Sequence, residues 1–422
     1  MLTYMLGIDG EGIQEENGTL SLLAHSLPTI LSPSIAPLPF KLEDSQTLMR
    51  NRHVDMLLHP SIPDTLRLRS HIIQSMRQFL LDSSFLEVQT PILASSAGGA
   101  IARPFTTSAT EFPEKTLAMR IAPELWLKRL IIGGFERVFE IGPVFRNEGL
   151  DGTHNPEFTT CEFYQAYASL KDLMRMTEKL MTRLVKSSNK FRYGSAPIPN
   201  PAEKVLLKTP FTRLPFIVTI ENALKQKLPL LHTPTAFSDL LTIFKKHDLP
   251  LPPTSTLPTL LDKLSTLFIE PDCQNPTFIT HHPALLAPLA KQVFDRRTGQ
   301  YLSLRAELFI EGKEVANMYE EENSPFAQYA SFLSQTRHKH QPQGNDQGQV
   351  GMVNEHGDEA AGGKIDESYI RALEYGLPPT GGWGAGVDRI VMLMAGKERI
   401  SDVLAFGNLR NVVGLGGNGG ES

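Results

Sequence analysis

The sequence predicts an α+β fold, and three observations predict it. Residues 136–167 read as a strand, a polar loop and a return strand. A second strand run, Tyr301 to Ile310, turns at Glu311-Gly312 into Glu314 to Tyr319. Ahead of both, apolar residues recur at helical spacing, as Ile72, Ile73, Met76, Phe79 and Leu80 do.

In chain order, residues 1–40 read as strand fragments. Thr19 to Ala24 is one short strand, and Pro28 to Pro39 is a proline-punctuated exit. Alone this piece is too small to fold, so it is expected to be the last part of a β-domain. Residues 41–62 form a polar linker carrying Arg50 and Arg52. The main domain, 63–412, opens with a helix capped by Asp64. Phe85 to Thr90 is a strand stopped by Pro91, and Gly98-Gly99 is a loop before Arg103-Pro104-Phe105. A helix begins at Pro123-Glu124, where proline suits the first turn, with Leu127, Leu130 and Ile131 inward. A further helix is expected at 170–187.

Residues 200–272 are proline-rich, with helical patterns at Phe237 to Phe244 and Leu257 to Phe268. They are expected to be an inserted helical subdomain over the main sheet. Thr277 to Thr280 returns to strand, and 338–363 has the composition of a disordered loop. A helix at 366–375, a strand through Gly386, a helix from Asp388 and a disordered tail at 413–422 complete the chain.

At 422 residues and 46.8 kDa, two or three domains are expected. The net charge of −5 gives no global pull toward nucleic acid, so any such contact rests on local basic patches. Cys161 and Cys273 make neither a disulfide framework nor a zinc cluster. No apolar run is long enough to cross a bilayer, so no membrane partner is expected. The first residues lack the pattern of a signal peptide or an Arg-rich presequence.

The chemistry concentrates in Phe145-Arg146-Asn147-Glu148, His154-Asn155-Pro156-Glu157-Phe158 and Cys161-Glu162-Phe163-Tyr164. Alternation puts Phe158, Glu162 and Tyr164 on one face, with Cys161 and Phe163 on the other. A cation for phosphate, a ring for a base and an acid for an amine then share one surface. Alone, Arg146 and Glu148 would be a surface ion pair. Glu307 and Glu314 share a face if an even loop pairs 314 with 309; two such acids repel unless a cation such as Mg²⁺ lies between them. On spacing alone two solvated acids are the better reading; Asn317, Tyr319 and Glu321 close behind favour the metal.

Gly382-Trp383-Gly384-Ala385-Gly386-Val387-Asp388-Arg389 ends a strand and starts a helix. Its glycines admit a nucleotide to the backbone, and Arg389 can stack on a base or bind phosphate. Glu124 in isolation is a helix-dipole complement. His281 and His282 point to opposite strand faces and are expected to be structural.

These motifs resemble the class II aminoacyl-tRNA synthetases, specifically the lysyl-tRNA synthetases, from about Thr19 to Arg410. The likeness covers the helix and strand ending at Pro91, the FRNE-to-EFY hairpin and GAGVDR. It also covers GGAIARPF (98–105), RIAPELWLKRL (120–130) and NPTFITHHPALLAPLAK (275–291). The resemblance implies a six- or seven-stranded antiparallel sheet flanked by helices, a homodimer through the first motif, and ATP, L-lysine and tRNA(Lys) as substrates. It implies that Arg146 binds the lysine carboxylate and the ATP α-phosphate. Glu148 and Phe158 would hold adenine, with Arg389 on the other face, and His154 would lie near the γ-phosphate. Glu307 and Glu314 would bind Mg²⁺. Glu124 would take the α-amine, and Glu162, Tyr164 and Glu321 the ε-ammonium, with Asn317 and Tyr319 lining that pocket and Gly98 offering its backbone. Arg146 and Arg389 would be the catalytic pair.

The chain also departs from the family. Only the last strands of an N-terminal OB-fold, a partial anticodon-binding domain, fit within 1–40. Met318 replaces a small residue and is expected to tighten the pocket. Thr153 stands where some members have a phosphate-binding Arg, and Gly407 where Pro is common. The NMYEEENSPF segment (317–326) is more similar to mitochondrial members, so the mitochondrion is expected, with the cytoplasm as the alternative. Two other readings stay open: a paralogue that lysylates a protein, and a catalytically silent regulator.

Overall fold

The structure, a computed structural model, describes residues 5–36, 38, 44–100, 102–190, 208–339 and 366–413. The chain divides into two units, residues 1–63 with 405–422, and residues 64–404. The tail from Ala405 thus groups with the first unit, not with the 63–412 domain expected from sequence.

In the first unit, Gly10–Gln14 pairs antiparallel with Leu20–Ala24 across a turn where Gly18 takes φ 85°. Met5–Gly7 pairs with Thr29–Ser32. The stretch expected to be a proline-punctuated exit is therefore in part a strand. Pro28 and Pro33 lie just outside the paired residues, where a missing N–H removes no ladder bond. The expected linker at 41–62 is also more ordered than its polarity suggests. Asp44 caps a helix at Ser45–Arg50 by accepting the Thr47 N–H. The next helix, Arg52–Leu58, holds a buried Arg52–Asp55 ion pair at 2.6 Å.

The second unit is built on an eight-stranded sheet. Its strands are β1 (Leu86–Glu87), β2 (Arg137–Phe145), β3 (Glu157–Ala166), β4 (Thr212–Pro215), β5 (Thr277–Thr280), β6 (Arg305–Ile310), β7 (Lys313–Glu320) and β8 (Thr380–Gly386). The order is β4-β5-β6-β7-β8-β3-β2-β1. The six inner strands are antiparallel, while β4 and β1 join the edges in parallel. Six or seven antiparallel strands were expected; the two parallel edge strands, four and two residues long, are too short to show alternation. The 301–310 run also divides. Gln300–Ser303 leaves to pair with Gln292–Asp295, and only Arg305–Ile310 enters the main sheet.

The helices are α1 (Ser61–Asp82), α2 (Glu124–Ile132), α3 (Leu170–Lys190), α4 (Phe216–Leu224), α5 (Ala236–Lys246), α6 (Leu257–Phe268), α7 (Pro325–Lys339), α8 (Glu367–Leu373) and α9 (Val387–Ala395). Asp64 falls inside the first turn of α1 and pairs with Arg67; it does not cap it. Pro63 is tolerated there because first-turn N–H groups lack helical partners. Apolar side chains of α1, α3 and α9 pack on one sheet face with Cys161, Phe163, Leu308, Met318 and Trp383. On the other face, α4, α5 and α6 bury Ile279 and Phe309 in a second cluster, and α2 and α8 bury Tyr164 in a third. Of the 200–272 stretch, the described residues 208–272 share their core with the sheet and add both β4 and α4, neither of which was expected. The 338–363 loop, beyond Lys339, and the tail from Gly414 lie outside the described residues.

Trp383 is the largest fully buried side chain. Its ring stacks on Phe163 at 4.9 Å and its indole N–H donates to Thr177 Oγ1 at 2.9 Å. This contact binds β8 and β3 to α3 beneath the residues that face the cavity. Trp383→Ala is expected to destabilise the protein by about 3–5 kcal/mol, measured by urea unfolding.

Candidate functional site

The second face of the sheet carries a cavity of about 830 Å³. The strand register explains its lining. One row across the sheet runs Glu140, Glu162, Gly384, Asn317, Glu307, and the next runs Val138, Tyr164, Gly382, Tyr319, Arg305. Side chains in a row share a face, so the two glycines open a floor between walls of acids and phenols. Gly98, Glu124, Arg146, Glu148, His154, Phe158, Glu162, Tyr164, Glu314, Asn317, Tyr319 and Arg389 all line the cavity. Glu307 and Glu321 lie behind it, bonded to residues at or next to the wall.

At one end are three buried carboxylates, Glu124, Glu162 and Glu321. Glu124 is the first residue of α2, Glu162 sits mid-strand in β3, and Glu321 follows β7. Tyr319 donates its hydroxyl to Glu124 Oε2 at 2.8 Å, and Tyr164 to Glu162 Oε2 at 3.4 Å. A residue that the sequence reading passed over links them. Lys128, fully buried on α2, donates to Glu124 Oε1 and to Glu321 Oε2, each at 2.7 Å. Glu321 Oε1 is buried with no hydrogen-bond partner among the described residues. Burial, reinforced by Glu124, pushes the Glu162 carboxyl up to about 8. Burial also pushes Glu321 up to about 8, with Lys128 pulling against it and Glu124 adding to it.

At the other end are two guanidinium groups. Arg146 lies over the Phe158 ring at 5.2 Å and donates to the Ile121 carbonyl. Arg389 donates to the Glu314 carbonyl at 2.8 Å and to His154 Nε2 at 2.9 Å, while His154 Nδ1 donates to Asp151. Asp388 is buried beside them, paired with Arg69 of α1 and accepting the Thr159 N–H at 2.8 Å. That pairing fixes the start of α9, and hence Arg389, against β3.

Between the two ends, Phe309 pairs with Glu314 as expected, and a bulge then leaves Val315 unpaired so that Glu307 faces Asn317. Glu307 is held from both sides, by Arg305 and by His282 Nε2 at 3.0 Å. Burial raises its carboxyl, but the Arg305 guanidinium and the His282 hydrogen bond outweigh burial and hold it well down, while burial keeps His282 itself below the usual imidazole range. Glu314 is pushed up to about 7, first by burial and then by Glu307. Arg305 also donates to Asn317 Oδ1 at 3.0 Å. His282, expected to be merely structural, thus braces a site acid, while His281 bonds only its neighbour Thr280. Met318 does not tighten the pocket. It points to the opposite face and is fully buried against Thr177. Thr153 turns onto Asp151.

A family model described as tRNA synthetases class II (D, K and N) matches residues 44–410. A mitochondrial lysine–tRNA ligase of Schizosaccharomyces pombe is 43% identical over 400 residues, covering 94% of this chain and 71% of the relative. A probable cytoplasmic lysine–tRNA ligase of Encephalitozoon cuniculi is 40% identical over 395 residues, 90% of this chain and 73% of the relative. A lysine–tRNA ligase of the bacterium Pelotomaculum thermopropionicum is 37% identical over 413 residues, 95% of this chain and 75% of the relative.

The glycine floor is itself testable. A Cβ at Gly382 would stand 1.9 Å from Glu321 Oε1 and 2.6 Å from Tyr164 Cε1. Gly382→Ala is expected to cost about 1–3 kcal/mol in urea unfolding, because the neighbouring acid is fully buried and has little room to retreat.

Proposed function

The chain belongs to the class II tRNA synthetases of the aspartate, lysine and asparagine group, and from that premise we propose that it is a lysine–tRNA ligase. It activates L-lysine with ATP and transfers the lysyl group to the 3′ end of tRNA(Lys). The observation that carries the choice of lysine is the cluster Glu124, Glu162 and Glu321. Three buried carboxylates in one pocket are stable only when protonated or matched by cations. A substrate with two amines supplies such cations; a neutral side chain does not.

In this reading Glu124 takes the α-amine, and Glu162 and Glu321 take the ε-ammonium, with Tyr164, Tyr319 and Asn317 around the chain and the Gly98 backbone at its edge. Arg146 binds the lysine carboxylate and the α-phosphate. Phe158 stacks on adenine, Glu148 accepts from it, Arg389 lies on its other side, and His154 stands near the γ-phosphate. The carboxylate attacks the α-phosphorus in line and pyrophosphate leaves; the terminal ribose hydroxyl of tRNA then attacks the lysyl carbonyl of the adenylate, forming the ester and releasing AMP and the hydroxyl proton. Positioning and charge carry the rate, and no protein nucleophile is used. Glu307 and Glu314 are the acids that would hold a divalent cation: Glu314 lines the cavity, and Glu307 would exchange its Arg305 or His282 contact for the metal. Mg²⁺ held there would supply positive charge to the phosphates.

The homodimer belongs to the same reading; Leu81 of α1 and Leu86 of the edge strand β1 are both over 40% exposed. We place the enzyme in the mitochondrion, on the 317–326 segment and the Schizosaccharomyces relative.

Lysine-dependent ATP–pyrophosphate exchange followed by charging of tRNA(Lys) tests the function. Exchange without charging would favour protein lysylation, and no exchange with any amino acid would leave a silent regulator. Glu162→Gln is expected to raise the lysine KM about 100-fold while sparing that for ATP. An unchanged lysine KM would remove Glu162 from the pocket.

The raised carboxyls add a pH signature. Below about 8, Glu162 is protonated when no ammonium faces it, and binding an ammonium needs it ionised. Lysine binding near pH 7 is therefore expected to release about one proton, read by calorimetry in buffers of different ionisation enthalpy. Lysine affinity should fall as pH drops from 8 to 6. Without lysine the protein shows the opposite sign: from about pH 4.5 to 8 Glu162 binds a proton that the unfolded chain has lost, so this acid lowers stability as pH rises.

A further inference from the structure

Lys128 has no role in the chemistry above, yet it occupies the centre of the acid cluster. Its ammonium is fully buried and bridges Glu124 of its own helix to Glu321 on another element. Glutamate and lysine four apart on a helix ordinarily make a solvated surface pair worth a few tenths of a kcal/mol. Here the pair turns inward, over the Tyr369 ring at 5.3 Å. Lys128 takes one oxygen of each acid. The second oxygen of Glu124 receives the Tyr319 hydroxyl, and the second oxygen of Glu321 is left without a partner beside Gly382.

We infer that Lys128 is a positioning residue that acts as a resident third ammonium, setting the pocket's charge so that it balances a substrate carrying two. The inference rests on the lysine reading. Once ionised, Glu124, Glu162 and Glu321 carry three negative charges. Lysine brings two ammonium groups, and Lys128 brings the third. The lysine carboxylate is met separately by Arg146. The other charged group facing Glu162, Glu140, is already paired with Arg120 at 2.5 Å. The remaining titratable neighbours, Tyr164, Tyr319 and Tyr369, stay neutral, because burial first and the nearby acids next push each of the first two well above the usual phenol range, and burial does the same for Tyr369. Burial alone would strip the proton from Lys128, but Glu124 and Glu321 together overcome it and hold the side chain charged. With lysine bound, every carboxylate then has a cation and none must keep a proton.

The balance has an unusual consequence. Removing one acid leaves the bound pocket one positive charge in excess, and removing Lys128 as well restores neutrality. The experiment is lysine-dependent ATP–pyrophosphate exchange with the intact protein, with Glu321→Gln, and with Glu321→Gln combined with Lys128→Met. Glu321→Gln is expected to raise the lysine KM about 100-fold. Adding Lys128→Met is expected to bring it down again about tenfold, with the ATP KM unchanged throughout. A residue serving only the fold would make the double variant worse. Equal or higher lysine KM in the double than in the single overturns the inference. Absence of lysine-dependent exchange in the intact protein overturns the functional reading instead. Glu124→Gln with and without Lys128→Met gives the same comparison from the other acid. Failure of both balanced doubles to fold would also overturn the inference, since Lys128 would then hold the structure and not the charge.

Discussion

The cavity depends on one electrostatic constraint: carboxylates crowded out of water cannot all be ionised without cations. Glu124, Glu162 and Glu321 are each at most 7% exposed. Left charged and alone, each would cost several kcal/mol to bury. The empty pocket meets the constraint in two ways. Lys128 stays charged between Glu124 and Glu321, and burial raises Glu162 until it holds a proton at neutral pH. The same constraint appears in the middle of the cavity with a different solution. Glu307 is clasped by Arg305 and His282 and stays ionised, while Glu314, one strand over, takes the strain of the shared charge. Protein cations settle some of the acids, and the rest remain to respond to whatever enters.

The sheet makes such crowding feasible. Backbone pairing fixes Glu162 opposite Gly384 and Tyr164 opposite Gly382, with Asn317 and Tyr319 beyond the same glycines. Without side chains on β8 at those points, substituents from β3 and β7 reach over a common floor. On the reverse face, Trp383 and Ala385 bury themselves in the core between those glycines, so alternation in one strand supplies both floor and anchor. The Asp388–Arg69 pair then sets where the strand becomes a helix, which brings Arg389 back over Glu314.

Much of this was legible in the sequence because the decisive residues lie on strands, where a period of two assigns faces without knowledge of tertiary structure. Phe158, Glu162 and Tyr164 followed from that rule, as did Cys161 and Phe163 in the core. What was not legible depended on contacts between elements. Lys128 stands four residues after Glu124 and looks like an ordinary helix-surface pair; nothing local says that its helix buries that side or that Glu321, after β7, meets it there. His282 needed knowledge that β5 lies beside β6. Met318 was misjudged through proximity in sequence: its neighbours Asn317 and Tyr319 face the cavity, and for that reason it cannot. The edge strands were missed because two to four residues cannot display a period. In the 45–58 helices, a single Asp44 cap and a buried Arg52–Asp55 pair outweighed a polar composition.

Selectivity follows from the same charge accounting. A side chain of similar length without the ammonium could fill the space, but Glu162 would then keep its proton or stay ionised without a cation, and Glu321 Oε1 would stay unmatched. The first outcome forgoes the gain of forming charged hydrogen bonds, and the second leaves buried charge uncompensated. Either way the competitor gains less than lysine does, and the gap widens as protons become easier to remove. The pocket therefore discriminates by the identity of the cation that completes it, proton or ammonium, more than by shape. Lys128 belongs to that logic: a permanent cation keeps the number of vacancies at two, which is the number of amines that the substrate brings.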